Sequence, residues 1–105
     1  AVQSLDQFRE AEADRIEQMR EFPLSDVKAD SLILRAYEQG IVSLRALPPV
    51  IQAWRRPTHT EFEGRNLWSL LNAFTGALKS RSVSNPQQFA LQTIRLHTLL
   101  NPLAC

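Results

Sequence analysis

The chain is short of most residues that carry chemistry. It has one cysteine, Cys105, three glycines, two histidines and one tyrosine among 105 residues. One cysteine closes no internal disulfide, so the fold has to stand on packing, and a reducing compartment, the cytoplasm, is the expected location. Gly40, Gly64 and Gly76 lie too far apart for a phosphate-cradling loop. His59 and His97, with a single terminal cysteine, give no zinc spacing, and no Gly-x-Ser-x-Gly elbow is present. No apolar run approaches the roughly 18 residues of a membrane span, and no basic start leads into an apolar core. The expectation is a protein with no metal, no cofactor and no membrane partner.

What is there fits one ordinary globular domain, 1–105. Hydrophobic residues make up 44% and charged residues 22%. The net charge of +1 carries no overall pull towards polyanions, but the charges are unevenly placed. Residues 1–40 hold nine acids against five bases, and residues 41–105 hold seven bases against two acids. Such asymmetry produces either a basic binding face or two halves that attract each other, and the second is the more ordinary arrangement.

Apolar spacing predicts helices throughout. Leu5, Phe8, Ile16 and Met19 form a narrow stripe in a first amphipathic helix within 1–22, which lies on the outside of the bundle or reaches over a partner and is ended by Pro23. Ser25 and Asp26 open a second helix that runs to about Gln39, carrying Val27, Leu32, Ile33, Leu34, Ala36 and Tyr37, and Gly40 stops it. A turn over Leu44–Leu47 leads to a short helix, about Pro49–Arg55, with Val50, Ile51 and Trp54. The polar stretch Arg55–Gly64 reads as a loop. A fourth helix covers about Arg65–Ser80. Asn85, Pro86 and Gln88 start the last one, about Pro86–Leu100, with Phe89, Thr93, Leu96 and Leu100 on its face and Ile94 and Leu99 widening it. No segment alternates as a strand does. The expected fold is all-α: a compact irregular or orthogonal bundle of four main helices plus one short helix, the proline-marked helix arguing against a regular up-down design.

The candidates for function are few. His59 with Glu61 and Glu63 contains the elements of a general base, but a solvated loop histidine is the plainer reading. His97 near a helix C-terminus is explained by the helix dipole. Arg55, Arg56, Arg65, Lys79 and Arg81 supply a candidate nucleic-acid contact, for which Trp54 or Trp68 would have to leave an apolar stripe to stack on bases. Within Phe62–Thr75, FEGRNLWSLLNAFT, the stripe Leu67, Leu71, Phe74 is interrupted by Asn72 and Thr75. Thr75 can return its hydroxyl to the Leu71 carbonyl, and Asn72 reads as a polar anchor holding the loop around residues 57–62.

One family resemblance attaches to these residues. The run Leu32-Ile33-Leu34-Arg35-Ala36-Tyr37, then Gly40-Ile41, Leu47-Pro48, Trp54, Pro57, His59 and Phe62, and above all Trp68-Ser69-Leu70 with Asn72-Ala73-Phe74-Thr75, resembles the C-terminal part of the phage/plasmid-like proteins grouped as a domain of unknown function. It covers about residues 24–100 and is most specific at Trp-Ser-x-x-Asn-Ala-Phe-Thr. Members of that family are longer, so the resemblance implies an excised C-terminal domain. Their threonine tends to be followed by an acid, where this chain has Gly76. The resemblance implies no catalytic residues, and its mobile-element setting implies a role near DNA or phage defence by association only.

The sequence therefore leads to a non-enzymatic helical domain used for protein interaction or self-association. A nucleic-acid-binding module using the basic residues is the alternative, and an accessory domain of an enzyme completed by a missing N-terminal region is third.

Overall fold

A computed structural model describes residues 5–56, 65–81 and 85–101 of the chain. Five α-helices account for most of them: α1 (Leu5–Arg20), α2 (Asp26–Glu38), α3 (Leu47–Arg55), α4 (Leu67–Arg81) and α5 (Pro86–Leu99), with a single 3-10 turn, Leu44–Ala46, leading into α3. No strand occurs among the described residues, where the one extended pairing is an isolated bridge between Pro23 and Asn66.

Local chemistry sets most of the boundaries. Ser25, in extended conformation, accepts the Lys28 N–H at 3.2 Å and opens α2. At its other end Gly40 takes φ 74°, a conformation costly for any side chain. The Gly40 N–H then donates to the Tyr37 carbonyl and the Ile41 N–H to the Ala36 carbonyl, both at 2.9 Å. That is the bond pattern of a Schellman stop, and Ile41 and Ala36 bury against the core beside it. Pro48 and Pro49 occupy the first turn of α3, where no intrahelical N–H is needed. Asn85 accepts the Gln88 N–H at 3.1 Å while Pro86 fixes the first residue of α5.

The core is organised on α4. Leu67, Leu70, Leu71, Ala73, Phe74, Ala77 and Leu78 are all buried, so this helix is covered on several sides, by α1, α3 and α5. Val50 and Trp54 come from α3, Leu96 and Leu100 from α5, Met19 from the end of α1, and Ile41 and Val42 from the link after α2. The inner face of α2 is narrow: Ala29, Ile33 and Ala36 are buried and Leu32 is half-buried.

The outer faces of α2 and α5 carry large apolar side chains, which for α5 corrects the expectation about Ile94. Val27 and Leu34 project roughly 120–150° away from the Ala29–Ile33–Ala36 row around a 3.6-residue turn, and stand exposed at 82% and 55%. Ile94 does not widen the inner face of α5; it is 65% exposed, as is Leu91 at 56%. The small residues of α2 explain the first case, since Ala29 and Ala36 let the backbone approach the core closely and leave the larger side chains outside.

Candidate functional site

Asp26 begins α2 where the dipole favours a carboxylate, and its side chain does more than complement that end. Its Oδ1 accepts the indole Nε1–H of Trp54 at 3.0 Å and the Nη1–H of Arg65 at 2.9 Å. The other end of the Arg65 fork donates Nη2–H to the carbonyl of Arg55, the last residue of α3, at 3.1 Å. The guanidinium lies 5.8 Å from the Trp54 ring centroid, within cation–π range. One aspartate, one tryptophan and one arginine thus join the start of α2, the end of α3 and the approach to α4. Trp54, 2% exposed, meets the general requirement that a buried indole N–H find an acceptor.

The Trp54 indole first, and then the Arg65 guanidinium, hold the Asp26 carboxyl below its ordinary value. A depressed folded-state pKa means that the carboxylate form stabilises the fold above the unfolded value of about 3.9, and that this contribution disappears as pH falls through the lower folded value. Asp26→Asn is therefore expected to melt below the wild type by a constant interval from neutral pH to about pH 5. That interval should narrow below about pH 4. Melting curves across pH 2–7 check it, and an interval unchanged down to pH 2 would count against the role given to the carboxylate.

A second knot forms one residue on. Asn66 Oδ1 accepts from the Ser69 N–H at 2.8 Å and from its hydroxyl at 3.0 Å, which makes Asn66 the N-cap of α4. Asn66 Nδ2–H donates to the carbonyl of Arg20, the last residue of α1, at 3.0 Å. Around it the Leu24 N–H donates to the Arg65 carbonyl and the Leu67 N–H to the Phe22 carbonyl, each at 3.0 Å. The Arg20 guanidinium lies 5.2 Å from the Trp68 ring centroid. A single amide closes the end of one helix and the start of another.

Polar residues just before α4 make the contacts described above. Asn72 is exposed, and the loop it was expected to hold, around 57–62, lies outside the described residues. Thr75 does return its hydroxyl to the Leu71 carbonyl, at 2.8 Å, a bond internal to α4. At the far end of α2, Gln92 and Arg95 of α5 donate to the carbonyls of Gly40 and Gln39, and before α4 the polar contacts between helices come from Arg65 and Asn66. The only sequence signal for the contacts before α4 was an asparagine one residue ahead of an apolar helical run, which is a cap signal.

Of the basic candidates, Arg55, Arg56 and Arg65 meet at the end of α3, where the Arg65 guanidinium donates to the Arg55 carbonyl, and Lys79 lies apart. Arg65 is committed to Asp26, and Arg55 stands 3.6 Å from Asp30. Arg56 is exposed just beyond α3, while Lys79, also exposed, lies near the far end of α4, about 18 Å along the helix from Leu67. The side chain of Arg81 lies outside the described residues, as do His59, Glu61, Glu63 and Cys105. His97 is exposed in the last turn of α5. Both ion pairs join an acid of the first forty residues to an arginine of the later part, so attraction between the halves accounts for part of the charge asymmetry. The Asp30–Arg55 pair is more than half exposed on both sides and contributes little.

Among the described residues no group of three or more His, Cys, Asp or Glu is placed to hold a metal ion, and no helix is long and apolar enough to cross a membrane. Several large apolar side chains stand exposed, Leu44 among them. Val27 and Leu34 stand on the outside of α2 with Tyr37 beside them, and Leu91 and Ile94 stand on the outside of α5. No family model, curated protein or solved structure matches this chain.

Proposed function

We propose that this domain is a non-enzymatic helical interaction module, binding another protein or a second copy of itself through the outer faces of its helices. The observation that carries the reading is the pairing of exposed aliphatic side chains at helical spacing, Val27 with Leu34 and Leu91 with Ile94, on two helices whose inner faces are already satisfied by the core. Single exposed apolar residues are ordinary, whereas paired ones on one helix face form the kind of surface that partners cover. The polar clusters give no competing site: Asp26, Trp54 and Arg65 bond to one another and to the Arg55 carbonyl, and Asn66 bonds to Ser69 and to the Arg20 carbonyl. A nucleic-acid role is disfavoured because Arg65 and Arg55, though adjacent, face Asp26 and Asp30, and Lys79 lies far along α4.

The reading is tested by immobilising the wild type and two variants, Val27→Glu/Leu34→Glu and Leu91→Glu/Ile94→Glu, at equal density. The expected result is a protein, either this chain or another, held by the wild type and lost by one variant, with all three melting at similar temperatures. Identical capture by all three forms, or capture by none, would speak against it.

A further inference from the structure

The C-terminal end of α1 and the rest of that helix are attached to the bundle in different ways. The end is pinned through backbone groups. The Leu24 N–H donates to the Arg65 carbonyl and the Leu67 N–H to the Phe22 carbonyl, each at 3.0 Å, on either side of the Pro23–Asn66 bridge. Asn66 adds its bond to the Arg20 carbonyl. These contacts hold residues 20–24 against residues 65–67, the segment that leads into α4.

From there towards its N-terminus α1 is held by side chains. Among those described, Met19 is buried, Ile16 is half-buried, and the Arg20 guanidinium lies over the half-buried Trp68 ring of α4. On α4, by contrast, buried side chains recur from Leu67 to Leu78. The helix also gains little from itself. At 16 residues it is close to the length at which isolated helices are marginal in water. Glu10, Asp14 and Glu17, all exposed, follow one another at intervals of four and three residues, so like charges repel along the outer face. An element with few buried apolar contacts opens well before the whole domain unfolds.

We propose that α1 is a strap. It opens as one unit, pivoting at Glu21 and Phe22 beside the Pro23–Asn66 bridge, while α2, α3, α4 and α5 stay folded. Opening uncovers the Trp68 ring of α4 and the place in the core that Met19 fills. The bridge keeps the opened helix tethered beside α4, so that closing needs no search. The strap works independently of the outer faces of α2 and α5 on which the interaction module rests.

Hydrogen exchange of the full chain, followed by mass spectrometry at several low denaturant concentrations, tests this. The amides of residues 10–19 are expected to exchange together, about 100-fold or more faster than the slowest amides of α4, and with little dependence on denaturant. Leu96→Ala, in the core on α5, is expected to speed exchange in α4 at least tenfold and to leave α1 unchanged, because Leu96 stays packed when the strap is open. Met19→Ala is expected to speed exchange in α1 at least tenfold. Leu96→Val makes the same comparison if Leu96→Ala does not fold. Exchange in α1 as slow as in α4, or accelerating in step with α4 when Leu96 is replaced, would overturn the strap. A protection gradient rising steadily from Glu10 to Met19 would overturn it too, since that marks fraying from the helix end.

Discussion

Trp54→Ala is expected to lower stability by about 3–5 kcal/mol, the range for removing a large buried aromatic side chain. A domain of this size has a total margin of roughly 5–15 kcal/mol, so the variant should lose much of its cooperative melting. Three contributions add. The buried ring leaves a cavity beside Val50 and α4, the indole no longer donates to Asp26, and the Arg65 guanidinium loses the face it lies over. Trp54→Phe separates them, because it keeps most of the volume and removes the N–H. Asp26 then retains Arg65, so Trp54→Phe should cost only about 1 kcal/mol beyond the change in packing. Chemical denaturation of the two variants checks this, and equal losses would mean that packing contributes almost nothing at this site.

The second large effect is expected at Asn66. Asn66→Ala removes the N-cap of α4 and the donor that closes the end of α1. Loss of an N-cap alone costs about 0.5–2 kcal/mol, and loss of the exposed bond to the Arg20 carbonyl adds little to it. A melting temperature lower by roughly 5–10 °C follows for a domain of about this length. Asn66→Asp divides the two roles. The carboxylate still accepts from the Ser69 N–H and suits the helix N-terminus, but it cannot donate to Arg20. Asn66→Asp should therefore recover most of the loss, and a variant as unstable as Asn66→Ala would show that the Arg20 contact is the stronger of the two.

The helices were legible in the sequence because their boundaries are set locally. Ser25, Gly40, Pro49, Asn85 and Pro86 act within a few residues of themselves, through caps and fixed backbone angles, and each is found in its expected role. Exposure was less legible. Val27, Leu34 and Ile94 have the composition of core residues, and only the tertiary position of α2 and α5 decides which side of the helix is covered. The polar site was least legible. Asp26 and Trp54 are 28 residues apart, Asp26 and Arg65 39, and Asn66 and Arg20 46. No periodicity relates residues at such separations. Asn72 interrupts an apolar stripe, whereas the asparagine that ties α1 to α4, Asn66, stands just before the stripe begins.

That distinction between the two asparagines is open to a direct comparison. Thermal melts of Asn66→Ala and Asn72→Ala, under one buffer condition and monitored by far-ultraviolet circular dichroism, set the junction before α4 against the exposed face of α4. The expected result is a fall of roughly 5–10 °C for Asn66→Ala and a change within about 1 °C for Asn72→Ala. A fall at Asn72 as large as that at Asn66, or no fall at Asn66, would contradict the placement of the polar anchor at the Arg65–Asn66 junction.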